Sequence, residues 1–262
     1  MKKTTKRILT VVLVIIAAVC IAYIAYYFVS QNKKGKVYDE VQKQVNLEPE
    51  KEEEPEAKDP EAPKEKNPID FKQLQETNKD IYAWITVPDT NINYPIVQSS
   101  WDNTYYLDNT IDGQAGLPGS IYTENYNAKD FTDFNTIIYG HDMNDGSMFQ
   151  NLHKYEDETF FKEHSKVYVY TPEKKLTYEI FEAVVYDDRH ILMSFDFTQD
   201  NQRQAYLDSL KAVRNLNSNY NDDVQVGPDS RIITMSTCIA TQPDNRLVVG
   251  AVLTDEYEYE AQ

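Results

Sequence analysis

From Ile8 to Val29 the chain carries no charged residue and is almost wholly apolar. At about 1.5 Å per helical residue, a run of this length crosses a hydrocarbon core of about 30 Å. A chain that starts this way is predicted to hold a membrane helix, with its folded part on one side of it. Lys2, Lys3, Lys6 and Arg7 precede the run, while Lys33, Lys34 and Lys36 follow it beside Asp39 and Glu40. That bias places the N-terminus inside. The apolar core exceeds the roughly 7 to 15 residues of a signal peptide, and no Ala-x-Ala site follows it, so the anchor is read as uncleaved. In Ala17-Ala-Val-Cys20 a lipoprotein cleavage site lacks its small residue at Val19, and Cys20 is read as membrane-buried. The expected organisation is a cytoplasmic N-terminus at 1–7, a single-pass cell-membrane anchor at 8–29, a spacer at 30–66 and an extracellular folded domain at 67–262.

The spacer assignment rests on Glu48 to Lys66, which is rich in Glu, Lys and Pro. Such a segment buries no core, and its prolines extend it. From Ile69 to Thr254 the composition is that of a folded domain of one-core size. The formal charge of −17, from 26 Lys and Arg against 43 Asp and Glu, argues against a nucleic-acid partner. No glycine-rich phosphate loop, Cys-x-x-Cys or His-Glu-x-x-His occurs, so neither metal nor cofactor is expected. The pairs Asp187-Asp188 and Asp222-Asp223 read as surface charge, with calcium ligation as the rival reading.

Cys238 is the only cysteine outside the apolar run. It has no partner for an intramolecular disulfide, so it either packs as a small hydrophobe or does chemistry. His141 closes the strand-like run Asn135-Thr-Ile-Ile-Tyr-Gly-His141, and Arg246 opens the strand-like run that follows the turn Gln242-Pro-Asp-Asn245. All three stand at predicted strand ends, where side chains can converge in one cleft.

Short β-rich runs dominate the domain: 81–87, 94–97, 120–123, 135–141, 166–171, 176–186, 231–237 and 246–253. Broken by Pro, Gly, Asn and Asp, they predict a mostly β sandwich or barrel. Helices are predicted at 70–78, at 147–164 with a break near Tyr155, and at 198–216. In the last, Tyr206, Leu210, Val213 and Leu216 form a packing stripe.

These motifs together resemble the class B sortases, membrane-anchored cysteine transpeptidases of Gram-positive bacteria. The resemblance rests on Asp102-Asn-Thr-Tyr-Tyr-Leu107, Asn135 to His141, Gly146-Ser-Met-Phe149, Thr234-Met-Ser-Thr-Cys238 and Arg246, in that order. The helix at 198–216, between the long strand and the cysteine strand, matches class B rather than class A. The resemblance implies a closed eight-stranded β-barrel with N-terminal helices, and a peptide groove ending at the catalytic residues Cys238, His141 and Arg246. It places Asn103, Leu107, Ser236 and Thr237 near the substrate. The implied partners are secreted proteins with a C-terminal sorting signal of the Asn-Pro-x-Thr-Asn/Gly kind, cleaved after Thr, and an amine of the cell-wall peptidoglycan precursor. Two departures stand out: Asp142 occupies a position where Asn is common, adding a negative charge beside the imidazole, and Ile239 replaces an acidic residue found in some relatives.

The chemistry of the three residue types agrees. A cysteine thiolate attacks a carbonyl to form a thioester. An imidazole, with an ordinary pKa of about 6.5, exchanges protons near neutrality. A guanidinium stays charged and offers a fork of donors to an oxyanion. His153, His164 and His190 fall outside the motifs and read as structural or surface residues. Tyr105, Tyr106 and Tyr139 are read either as groove lining or as plain packing. A hydrolytic cysteine peptidase, a pilin-polymerising sortase and a membrane-tethered binding module remain the alternative functions.

Overall fold

The computed structural model describes residues 3–45, 47 and 64–260; most of the predicted Glu48–Lys66 spacer lies outside them. Helix α1 (Lys3–Gln44) is 42 residues long, about 63 Å at 1.5 Å per residue. Its segment Lys6–Tyr26 is long and apolar enough to cross a membrane and is not buried among the described residues. The second half of α1 behaves differently. Val37, Tyr38 and Val41 are buried, with Val45 just beyond the helix end, and all belong to the main hydrophobic core. Their near-regular spacing of about four presents one apolar face. Gln42 Nε2 donates to the Asn93 carbonyl at 2.6 Å, and the Tyr38 hydroxyl donates to the Gly119 carbonyl. Residues 30–44, assigned from sequence to the spacer, therefore continue the helix and dock on the domain.

Helix α2 (Phe71–Thr77) starts at Asp70, whose carboxylate accepts from the Gln73 amide at 3.0 Å. A cap of this kind stabilises by about 1 kcal/mol. Phe71 and Leu74 on its inner face are buried. Strands β1 (Ile81–Thr86), β2 (Asn93–Val97), β3 (Ile121–Tyr122) and β4 (Asn135–Tyr139) follow. After a 3₁₀ turn at Gln150–Glu156 comes α3 (Glu158–Glu163), capped by Asp157. These two pieces divide the helix predicted over 147–164. Next come β5 (Lys166–Tyr170), β6 (Lys174–Asp187), α4 (Ile191–Ser194), α5 (Asp200–Lys211), β7 (Asn219–Tyr220), β8 (Ile232–Cys238) and β9 (Asn245–Glu258).

The strands form one sheet of order β5-β1-β2-β3-β4-β8-β9-β6-β7, with a further β5–β6 pairing. That pairing joins the ends into a ring of eight strands, leaving β7 as an appendage on β6. Pairs β2/β3 and β4/β8 are parallel, and the others antiparallel. Closure removes the unpaired edges an open sheet would expose. Period-two alternation sorts the side chains. On β8 and β9, Ile233, Met235, Leu247, Val249 and Ala251 fill the main core. Ile232, Val248 and Val252 face a second cluster with Tyr206, Leu207 and Leu210 of α5. The stripe predicted on this helix holds at Tyr206 and Leu210 but not at Leu216, which is fully exposed. The helix stops at Lys211, and Asn215 forms a side-chain turn, accepting from the Asn217 amide at 3.1 Å.

Candidate active site

Strand register assembles the site. Parallel strands β4 and β8 pair Tyr139 with Ser236. Two residues further along each, His141 and Cys238 leave the sheet at the same end. Antiparallel β9 begins there, and Arg246 lies directly opposite Cys238. Directly opposed residues share a sheet face, so Cys238 and Arg246 project to the same side. Alternation puts Ser236 on that side as well, and Cys238 is solvent-exposed.

Each side chain is held by its own neighbours. His141 Nε2 lies 2.7 Å from the Leu107 carbonyl. That oxygen only accepts, so the hydrogen bond assigns the proton to Nε2 and leaves Nδ1 for proton exchange. Leu107 ends a 3₁₀ turn, Tyr105–Leu107, and its carbonyl also crowds Gly119. A Cβ at Gly119, where φ is +63°, would stand 2.3 Å from that oxygen and 3.0 Å from the His141 ring. Only glycine permits this approach. Arg246 Nη1 donates to the Pro243 and Asn245 carbonyls, each at 2.8 Å, fixing the guanidinium at the start of β9.

The four residues predicted near substrate divide. Leu107 is partly exposed and meets His141 through its carbonyl. Asn103 accepts from the Asn125 amide at 2.7 Å, tying the 3₁₀ turn's approach to the loop after β3. Ser236 shares the face of Cys238. Thr237 lies on the opposite face, 2% exposed, and its hydroxyl has no hydrogen-bond partner among the described residues.

Aromatic and titratable groups surround these residues. Tyr122 and Tyr139 stack with centroids 5.3 Å apart. Burial first, and then the charges of Glu124, Asp108 and Cys238, push the Tyr122 phenol above its usual range. His190 Nε2 pairs with Glu124 at 2.9 Å, and the Tyr139 hydroxyl reaches the same carboxylate at 3.4 Å. Tyr106 is a packing residue, buried and donating to Asp80 at 2.7 Å. Tyr105 meets Tyr106 edge-on and the exposed Trp101 at a tilt, with centroids 4.9 and 5.0 Å apart. His164 pairs with Asp89 at 3.0 Å, away from the site. His153, by contrast, reaches the Cys238 carbonyl at 3.1 Å. The Asp142 carboxylate, expected beside the His141 imidazole, lies 3.6 Å from His153.

Among the described residues no group of three or more His, Cys, Asp or Glu side chains is placed to hold a metal ion. A concavity of about 1010 Å³ lies between Tyr126, Phe134, Leu192 and Phe195, with none of the three predicted catalytic residues in its lining.

Comparison with known proteins identifies a family. The sortase domain matches residues 85–254. Sortase B of Listeria monocytogenes is 39% identical over 172 residues, covering 64% of this chain and 67% of that protein. Sortase B of Staphylococcus aureus is 32% identical over 183 residues, covering 69% of this chain and 73% of that one. Among solved structures, sortase B from B. anthracis in complex with AAEK1 superposes with a TM-score of 0.70 at 34% identity, covering 87% of this chain and 99% of that one. The Staphylococcus aureus sortase B–substrate complex gives a TM-score of 0.62 at 30% identity, covering 71% and 84%.

Proposed function

This chain belongs to the sortase family, as a class B cysteine transpeptidase, and we propose that it cleaves a C-terminal sorting signal of the Asn-Pro-x-Thr-Asn/Gly kind after Thr. In this reading Cys238, its thiol proton passed to His141, attacks the Thr carbonyl, and the carbonyl electrons move onto oxygen. Arg246 donates to that oxyanion. Collapse of the tetrahedral intermediate expels the amine, which takes its proton from His141, and leaves a thioester on Cys238. An incoming amine of the peptidoglycan precursor gives its proton to His141 and attacks the thioester. A second collapse frees Cys238 and leaves the substrate protein in amide linkage.

The observation that carries this reading is the register itself. Tyr139 beside Ser236, and Cys238 opposite Arg246, bring a nucleophile, a proton carrier and a fixed cation to one exposed sheet end. The long apolar α1 supports a role as a single-pass anchor that keeps the domain outside the cytoplasm, close to secreted proteins and wall precursor. The solved Staphylococcus aureus relative holds a substrate, which supports a peptide groove leading to the same sheet end here.

The test is product analysis. Full-length protein in detergent is incubated with Asn-Pro-x-Thr-Asn and Asn-Pro-x-Thr-Gly peptides, with and without an oligoglycine or diaminopimelate amine. The expected result is cleavage after Thr and diversion of the acyl group to the amine. Cleavage that no amine diverts contradicts transpeptidation in favour of hydrolysis. Undiminished ligand binding and cellular function in Cys238→Ala contradict catalysis altogether.

A further inference from the structure

His153 lies in the 3₁₀ turn Gln150–Glu156, with its side chain 18% exposed. Both ring nitrogens face oxygen acceptors. Nε2 is 3.1 Å from the backbone carbonyl of Cys238 and 3.6 Å from a carboxylate oxygen of Asp142. Nδ1 is 3.0 Å from a carboxylate oxygen of Glu156. A carbonyl and an ionised carboxylate can only accept. The contact with the Cys238 carbonyl therefore places a ring proton on Nε2.

Carboxylates flank the ring. The charged groups within ion-pair distance of the ring are Asp142, on the loop after β4, and Glu156, on the ring's own turn. The second Glu156 oxygen accepts from Asn217 Nδ2 at 3.2 Å, and Asn219 Nδ2 holds the Tyr155 carbonyl at 2.8 Å, so the strand-β7 side steadies the turn. The neighbouring Lys154 points elsewhere, donating to the Asp89 carbonyl at 2.8 Å. Arg246, the next nearest strand-end cation by register, is engaged with the carbonyls of its own loop.

What matters is what the ring joins. Cys238 ends β8, and Asp142 is the residue immediately after His141. We propose that His153 is a positioning residue for transpeptidation, a clamp whose Nε2 holds the backbone carbonyl of the nucleophile by a hydrogen bond and lies against Asp142 on the loop carrying the proton-transfer histidine. The clamp rests on the assignment of Cys238 and His141 made above. It holds a relative geometry in which a displacement of about 1 Å can cost about a hundredfold in rate, without itself touching substrate. Leu at this position keeps bulk and loses the donor. Gln keeps one donor within reach of the Cys238 carbonyl and loses the ring's contact with Glu156.

Full-length wild type, His153→Leu and His153→Gln in detergent are compared for peptide cleavage, thermal melting and iodoacetamide labelling of Cys238. The expected pattern is a fall in kcat of about tenfold or more for the Leu variant, with KM within about twofold, partial recovery in the Gln variant, and closely similar melting temperatures. Equal kcat in wild type and Leu variant, or equal losses in the Leu and Gln variants, overturns the clamp. Nitrogen NMR of the His153 ring in the wild type is independent of variant folding and of any peptide. A proton on Nε2 supports the proposal, and a bare Nε2 overturns it. A wild type that is labelled by iodoacetamide yet turns over no peptide defeats the assignment of Cys238 first, and the clamp with it. Normal wild-type turnover beside an unaffected Leu variant defeats the clamp alone.

Discussion

Arg246 and Glu182 show how differently single side chains are constrained. Arg246 offers a fork whose second amino group can reach an oxyanion while the first is held by Pro243 and Asn245. Arg246→Ala is expected to lower kcat by about 100- to 1000-fold, and Arg246→Lys to restore only part, since it keeps the charge and loses the fork. Steady-state kinetics on a cleaved peptide checks both; equal activity of Lys and Arg would point to charge alone. Glu182 sits on β6, fully buried, with neither carboxyl oxygen hydrogen-bonded among the described residues. Burial raises its pKa well above the usual carboxylate range, opposed by the charge of Lys211. Its folded state therefore binds the proton more tightly than the unfolded chain. The resulting stability is present below the unfolded value of about 4.3 and is lost as pH rises toward the folded value. Glu182→Gln is expected to melt higher than wild type at neutral pH and to converge with it near pH 4; a pH-independent difference would rule out buried ionisation. At this scale Cys238, His141 and Arg246 were legible because each stands in a local motif at a strand end. His153 was not, because its acceptors come from residues remote in sequence, and Thr237 shows the converse, a motif residue whose side chain alternation turns into the barrel.

Elements were legible where periodicity was long and regular. The strong β runs all formed strands, and α2 began at the capping Asp70. Strand β7, with two residues, is too short to leave a period, and α5 stopped before Leu216 because the Asn-rich stretch offers its own turn bonds. Helix α1 was half legible: its apolar run stood out, but the buried face at Val37, Tyr38, Val41 and Val45 was hidden among charged residues. That face matters to the site. The Tyr38 hydroxyl bonds Gly119 and Ser120, and the Gly119 backbone packs against both the Leu107 carbonyl and the His141 ring. Tyr38→Phe is expected to cost about 1 to 3 kcal/mol of stability, the range for leaving buried partners unpaired, and to slow turnover through the 107–120 loop. Thermal melting and kinetics of the full chain decide it. A melt and kcat indistinguishable from wild type would show that the helix merely rests on the barrel. The same contacts mean that a shortened protein beginning at residue 67 would lack part of its core.

At the scale of the molecule, β5–β6 pairing closes a barrel that hides its edges, while one sheet end stays open for chemistry. The closed topology was legible only through the family resemblance, since β-rich spacing alone allowed a sandwich as readily. The apolar segment and the barrel share α1, so a membrane spanned by that segment would stand in a defined relation to the barrel wherever the helix stays continuous. Protease added to intact cells is expected to digest the folded domain and spare the span. Protection of the whole chain would reverse the inferred orientation.

The central claim is a thioester on Cys238, and intact-mass spectrometry of full-length protein tests it most directly. The protein is mixed with an Asn-Pro-x-Thr-Asn or Asn-Pro-x-Thr-Gly peptide and quenched in acid before any amine is added. The expected result is an added mass equal to the peptide up to Thr, mapped to Cys238, released by hydroxylamine and absent in Cys238→Ala. An adduct on another residue, or peptide cleavage that persists in Cys238→Ala, would contradict it.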